Sequence, residues 1–190
     1  MTMQYSINDK KQLSTGFLQV LSYKIQHELY AGGMSTEFNR ELMDRGDAAS
    51  VFLYDPREQV VVLIEQFRIG AMKSDSPWIL ETVAGVIDEG LSAEETARKE
   101  ADEECGAQIG TLEKIASYYP SVGGCNEYKT LFYAEIESGS IHGVHGVANE
   151  NEDIRVVKYK LTDFMEALNS DAFDTPCIQI AGYWLMNRLN

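Results

Sequence analysis

Residues 85–107 read Gly85-Val86-Ile87-Asp88-Glu89-Gly90-Leu91-Ser92-Ala93-Glu94-Glu95-Thr96-Ala97-Arg98-Lys99-Glu100-Ala101-Asp102-Glu103-Glu104-Cys105-Gly106-Ala107. Ser92 is a good N-cap residue, and Glu95 three positions later completes a capping box. Gly106 follows as a C-terminal stop. The stretch therefore predicts a loop and then a helix over 92–104.

One face of this helix is small and acidic. Glu100 and Glu104 lie within about 40° of each other around the helix axis, and they are flanked by Ala93, Ala97 and Ala101. Small residues allow close packing on a sheet, but paired carboxylates repel each other, and burial increases the repulsion. A hard cation such as Mg²⁺ would remove the conflict. Taken alone, the helix is equally compatible with a solvated acidic surface.

Period-2 alternation predicts most of the remaining elements as strands. An N-terminal meander is expected from a strand over 17–29, a turn at 31–33 and a return strand ending near Arg45-Gly46. Further strands are predicted at 49–54, 59–66, 78–83, 112–119, 128–136 and 153–160, and Val60–Ile64 has the character of a strand buried on both faces. Two late helices are predicted from Thr162 to about Asn169 and from Thr175-Pro176 to about Leu189.

Composition excludes several classes of function. The chain has 190 residues and a net charge of −14, which repels phosphate backbones and anionic lipid, so a nucleic-acid or membrane-surface protein is not expected. No apolar run approaches the roughly 20 residues of a membrane span. Cys105, Cys125 and Cys177 are odd in number and widely spaced, which predicts free thiols in a reducing cytoplasm.

The 85–107 stretch resembles the Nudix box, G-x5-E-x7-R-E-U-x-E-E-x-G-U, in which U is apolar. The match lies at Gly85, Glu100, Ala101, Glu103, Glu104, Gly106 and Ala107. Leu91 stands where the family has Glu, and Lys99 where it has Arg, so we expect aliphatic packing of the lysine stem to replace a charged pair. The resemblance implies an α/β (α+β) Nudix fold, in which a mixed β-sheet is sandwiched between helices, here with the N-terminal antiparallel strand meander added.

Similarity to bacterial ADP-ribose pyrophosphatases of this family extends over roughly residues 16–156. It implies Mg²⁺ ligation, with Mn²⁺ as an alternative, by the Ala84 carbonyl and three carboxylates. It also implies a general base in the acidic loop, residues 149–153. Substrate contacts are implied for five residues. The metal carboxylates are Glu100, Glu104 and Glu152, the base is Glu150, and the substrate contacts are Phe17, Arg40, Arg68, Ser121 and Glu127.

The implied function is Mg²⁺-dependent hydrolysis of ADP-ribose or a related nucleoside diphosphate sugar to a nucleoside monophosphate and a sugar phosphate. Val122, where relatives have proline, leaves another nucleotide sugar or a dinucleotide open as the substrate. Leu91 and Lys99 leave open a nucleotide-sensing module without turnover. Residues 1–46 are expected to form a dimerisation meander and residues 47–190 the hydrolase domain. A homodimer is predicted because the stripe of Phe17, Leu21, Tyr23, Ile25 and Leu29 needs a second surface.

Overall fold

The computed structural model describes residues 3–16, 18–147, 149 and 151–189. These residues form eleven β-strands and three α-helices. They divide into two compact units, one made of the described residues within 1–47 and 119–128 and the other of those within 48–118 and 129–190. The two predicted site residues Phe17 and Glu150 lie outside the described residues.

The smaller unit contains a three-stranded antiparallel sheet, in the order β1-β2-β3. The strands are β1 (Tyr5–Gln12), β2 (Gln19–His27) and β3 (Phe38–Asp44). Strands β2 and β3 confirm the predicted meander, whereas β1 was missed because its alternation places mostly polar side chains on both faces. Leu21 is buried and Tyr23 and Ile25 are half-buried, so part of the predicted apolar stripe is already covered within the chain.

The larger unit is built on an eight-stranded mixed sheet. The order along its main path is β10-β11-β5-β4-β9-β8, with β6 paired to β5 and β7 paired to β4. Strands β4 and β9 run parallel to each other, and every other neighbouring pair along this path runs antiparallel. The bounds are β4 (Ala48–Asp55), β5 (Val60–Phe67), β6 (Trp78–Glu81), β7 (Val83–Val86), β8 (Leu112–Tyr118), β9 (Lys129–Glu135), β10 (Val144–His145) and β11 (Ile154–Lys160).

The predicted single strand over 78–83 was wrong. It is two strands, because the chain leaves the edge of β5 after Glu81 and joins β4 from Val83 onward. Thr82 at the crossing is 1% exposed, and its hydroxyl lies 2.5 Å from the Ser50 hydroxyl. This side-chain contact with β4 could not be read from a period-2 pattern.

Helices cover both faces of the larger sheet. Helix α1 (Ala93–Cys105) packs small side chains against one face, whereas α2 (Leu161–Asn169) and α3 (Pro176–Leu189) cover the other with aromatic residues. Pro176 occupies the first position of α3, as predicted. Helix α2 begins at Leu161, directly after β11 and one residue before the predicted start at Thr162, and it has no side-chain cap. No helix in the described residues is long and apolar enough to cross a membrane.

Candidate active site

Helix α1 has the ends that the sequence predicts. Ser92 Oγ accepts a hydrogen bond from the Glu95 amide at 3.2 Å, and the Glu95 carboxylate accepts one from the Ser92 amide at 2.8 Å. Gly106 ends the helix in the left-handed region at φ 69°. The buried positions of the helix are Thr96, Ala97, Ala101, Glu104 and Cys105. The predicted small face therefore packs on the sheet and brings a carboxylate with it.

Gly85 on β7 lies directly against the carboxylate of Glu100. A Cβ atom added to Gly85 would collide with Glu100 Oε1 and Cδ. The absence of a side chain at Gly85 is thus what allows the Glu100 carboxylate to lie on the strand. Burial raises the pKa of Glu100, while Lys99 acts in the opposite direction and the negative charges of Glu103 and Glu152 add to the rise.

Glu104 is the most deeply buried carboxylate of this helix, with 3% of its surface exposed. Its Oε2 accepts one hydrogen bond, from the Ala84 amide at 3.0 Å. Burial raises the pKa of Glu104 to about 8; the Ala84 hydrogen bond and Arg68 oppose the rise, and the charges of Glu100 and Glu152 reinforce it. A buried carboxylate with this environment lacks positive charge, which a divalent cation would supply.

Glu152 approaches the two helix carboxylates from the loop before β11. Its Oε2 accepts a hydrogen bond from the Val147 amide at 3.1 Å. Gly146, at φ 108°, leaves room for this arrangement, because a Cβ there would lie 2.7 Å from the Glu152 Cβ. Within the described residues, no three side chains of the metal-binding types converge closely enough to hold an ion by themselves. Complete ligation would therefore need further oxygens, from substrate phosphates, backbone or water.

Arg68, which follows β5, belongs to the same environment. Its Nε donates to Glu81 Oε2 at 2.7 Å, and its charge is one of the influences that oppose the effect of burial on the Glu104 pKa. The single bond through Nε leaves the two terminal nitrogens of the guanidinium outside this ion pair. Glu81 was not singled out from the sequence as a site residue. An acidic residue whose partner is an arginine thirteen positions earlier gives no local signal in the sequence.

Lys99 makes ion pairs instead of the expected aliphatic packing. Its Nζ lies 3.4 Å from Asp88 Oδ2, 3.6 Å from Glu100 Oε1 and 3.5 Å from Glu103 Oε2. Leu91 is 37% exposed. A link between loop and helix is thus present, but Asp88 supplies its acidic partner. Both members are solvent-accessible, so the link contributes at most about 1 kcal/mol.

Three other predicted substrate residues belong to the smaller unit. Arg40 on β3 stacks over Phe38, with its Cζ 4.5 Å from the ring centroid. The Ser121 carbonyl closes a turn by accepting hydrogen bonds from the amides of Gly124 and Cys125. Glu127 is 6% exposed and forms an ion pair with Arg45 at 3.3 Å. Their substrate-binding roles stay predictions.

The chain is similar to proteins of known family and to a solved structure. The family profile described as NUDIX domain matches residues 44–177. The chain is 39% identical to ADP-ribose pyrophosphatase of Escherichia coli strain K12, over 93% of this chain and 85% of that protein. It is 34% identical to GDP-mannose pyrophosphatase of Pectobacterium atrosepticum, over 89% of this chain and 87% of that protein. A solved structure titled ADP compounds hydrolase superposes with a TM-score of 0.72 at 18% identity, covering 99% and 98% of the two chains.

Proposed function

Since the chain belongs to the Nudix family, we propose that it is a Mg²⁺-dependent hydrolase of ADP-ribose or a related nucleoside diphosphate sugar. The products would be a nucleoside monophosphate and a sugar phosphate. The observation that carries the proposal is the deeply buried Glu104 carboxylate beside Glu100 and Glu152, in a family whose relatives at 37–39% identity are ADP-ribose pyrophosphatases. A merely solvated acidic face would not bury Glu104.

The proposed metal ligands are the Ala84 carbonyl and the carboxylates of Glu100, Glu104 and Glu152. The donor set consists of oxygens only, which suits Mg²⁺ and also Mn²⁺. When bound, the metal would neutralise charge on the phosphate oxygens and lower the pKa of the attacking water. Gly85 supports this role by admitting the Glu100 carboxylate to the strand. Arg68 would hold a phosphate through the guanidinium nitrogens that Glu81 does not engage.

We assign the general base to Glu150 in the acidic loop. The water oxygen would bond to one phosphorus of the pyrophosphate while the bridging P–O bond breaks, and the water proton would pass to the Glu150 carboxylate. We expect Glu150→Gln to lower kcat at least about 100-fold with little change in metal affinity. An equal loss of Mg²⁺ affinity, measured by the metal dependence of turnover, would instead make Glu150 a ligand.

A substrate panel tests the proposed function directly. ADP-ribose, GDP-mannose and a dinucleoside polyphosphate are incubated with enzyme and Mg²⁺, Mn²⁺ or EDTA, and the products are separated by anion-exchange chromatography. We expect turnover of ADP-ribose to a monophosphate and a sugar phosphate, its loss in EDTA, and its recovery on addition of Mg²⁺. Tight binding of a nucleotide sugar without cleavage in either metal would favour the sensing module and contradict the hydrolase.

GDP-mannose is the second candidate substrate. Val122 is 69% exposed, and it stands where the resemblance to ADP-ribose pyrophosphatases implies a proline. Relatives at 34% and 31% identity are GDP-mannose pyrophosphatases. A higher kcat/KM for GDP-mannose than for ADP-ribose in the same panel would establish this alternative.

We further propose a cytoplasmic homodimer that assembles through residues 1–46. The three cysteines are free and buried, which suits a reducing compartment. The smaller unit exposes Tyr5 by 74%, Ile7 by 53% and Tyr30 by 99%, and a second subunit could cover these apolar side chains. Phe17 would stack on adenine, and Arg40, Ser121 and Glu127 would line the nucleotide site. Light scattering at micromolar concentration should give twice the chain mass, and a fully active monomer would contradict the assembly.

A further inference from the structure

Gln66 on β5 is a buried polar residue with an unused hydrogen-bond donor. Its side chain is 7% exposed, and its Nε2 has no hydrogen-bond partner among the described residues. Leaving such a donor unpaired destabilises a folded protein, so buried polar groups are normally paired. An apolar residue of similar size would fit a sheet position of this kind without that penalty. An amide at this position therefore needs a hydrogen-bond partner that none of the described residues supplies.

The alternation of β5 places Gln66 on the face that carries the candidate active site. Val62 and Ile64, of the same parity, pack in the apolar cluster that includes the small residues of α1. Val61 and Leu63 pack in the opposite cluster, with α2 and α3. Glu65 lies on the same face as Val61 and Leu63. Burial is the main cause of the raised pKa of Tyr159, which packs against this second cluster, and the nearby charge of Glu65 adds to the rise. Gln66 therefore faces α1.

The neighbours of Gln66 on this face are groups of the candidate site. Its partner on β6 is Ile79, and Glu81 lies two residues along the same strand and face. Arg68, two residues along the chain, bonds to Glu81 and is close enough to Glu104 to affect its pKa. On the opposite edge of β5, the neighbouring strand is β11. Arg155 of β11 is paired with Glu65, the residue before Gln66, and β11 begins there, just after the loop that carries Glu152. Gln66 thus lies in the sheet between the Arg68–Glu81 pair and the Glu152 loop.

We propose that Gln66 is a substrate-binding residue whose amide donates a hydrogen bond to a phosphate oxygen of the nucleoside diphosphate. The inference rests on the proposed function and extends it. A neutral donor is well suited to this position, since a further cation would compete for the carboxylates and a further carboxylate would repel the phosphate. Gln66 and Arg68 would then both bind phosphate oxygens of the substrate. Neither residue is among those proposed to hold the metal.

The test compares Gln66→Met with Glu65→Gln. Methionine keeps the length of the side chain but has no N–H donor, whereas Glu65 is adjacent on the same strand and faces the opposite side. For Gln66→Met we expect KM for the turned-over nucleotide sugar to rise at least about tenfold, with an unchanged or higher melting temperature because a buried unpaired donor is removed. Gln66→Glu should raise KM further. Glu65→Gln should leave KM within about twofold.

Titration calorimetry with ADP-ribose and GDP-mannose in EDTA provides a readout independent of turnover. Gln66→Met should bind the preferred nucleotide at least about tenfold more weakly than the wild type. Unchanged KM and affinity would overturn the inference while leaving the proposed function intact. A fall in activity that merely follows a fall in melting temperature would show a structural role and would also overturn it. Failure of the wild type to bind or cleave either nucleotide would overturn both.

Discussion

Asp55 and Glu104 are two carboxylates of the larger unit that are almost inaccessible to solvent and whose pKa values are shifted in opposite directions. They are 2% and 3% exposed. Asp55 accepts four hydrogen bonds, from the amide and hydroxyl of Ser138 at 2.7 Å each and from the amides of Arg57 and Glu58 at 3.0 and 3.1 Å. Burial would raise its pKa, but these bonds lower it to about 2, whereas the pKa of Glu104 is raised to about 8.

The difference shows that burial alone does not decide the charge state of a carboxylate. The donors around Asp55 stabilise its charge and thereby the fold at the end of β4. Glu104 has one amide donor and two carboxylate neighbours, so its charge is left for an added cation to stabilise. We therefore expect Asp55 to contribute to stability and Glu104 to contribute to the proposed metal-dependent chemistry. Matched substitutions in the two regions should therefore separate activity from stability.

The largest effect is expected for Glu104→Gln. The amide keeps the size and the acceptor for the Ala84 N–H but removes the charge that a divalent metal needs, so kcat/KM should fall about 1,000-fold or more. Because the folded pKa of about 8 lies above the ordinary 4.5, ionising Glu104 destabilises the metal-free fold as pH rises from 4.5 to 8. In EDTA at pH 8, the free energy of unfolding of the variant should therefore be no lower than that of the wild type. Full activity with a normal Mg²⁺ dependence would contradict the metal assignment.

The second-largest effect is expected for Gly85→Ala. Its kcat/KM should fall about 100-fold, which corresponds to about 2.7 kcal/mol of transition-state stabilisation. The added Cβ displaces the end of the Glu100 side chain, which is flexible enough to move aside without unfolding the strand. Urea unfolding should consequently change by less than about 1 kcal/mol. A variant that is active but unstable would show that Gly85 serves packing instead of the site.

Asp55→Asn should lose stability and keep activity, the opposite of the two variants above. We expect its free energy of unfolding at pH 7 to fall by about 2 kcal/mol, with near-normal turnover by the folded protein. Its folded pKa is depressed, so its contribution is complete above about pH 4 and disappears as pH falls through about 2. Denaturant titrations of variant and wild type at pH 7 and pH 3 measure this directly. A gap that stays constant with pH would exclude the charge as its cause.

The smallest effect is expected for Gly182→Ala in α3, on the aromatic side of the sheet. A Cβ there would lie 2.8 Å from Leu168 Cδ2 and 3.1 Å from Phe164 Cζ. Overpacking should destabilise the fold by about 1 kcal/mol, partly offset by the better helix propensity of alanine. Thermal unfolding should show the loss, and KM should not change. Comparison with Gly85→Ala contrasts the same added methyl group on the two faces of one sheet.

Much of this molecule could be predicted from local pattern. The capping box of Ser92 and Glu95 and the stop at Gly106 depend on residues within one or two helical turns, and both were confirmed. The burial of Val61–Ile64 follows from an unbroken apolar run. By contrast, β1 has few apolar residues, and its pairing with β2 is a long-range contact that no local signal announces.

The sequence by itself determined the Nudix box, the carboxylates Glu100 and Glu104 and the small face that brings them to a sheet, because helical periodicity places neighbours three and four residues apart on one face. Only the tertiary structure decided that Gly85 admits Glu100, that Glu81 pairs with Arg68 and that Asp88 pairs with Lys99. It also decided that the Gln66 amide finds no acceptor among the residues the structure describes. Each of these depends on which strands and loops become neighbours, and on the dielectric and hydrogen bonds that burial then creates. Those are properties of the packed chain, so no spacing of residues along it reveals them.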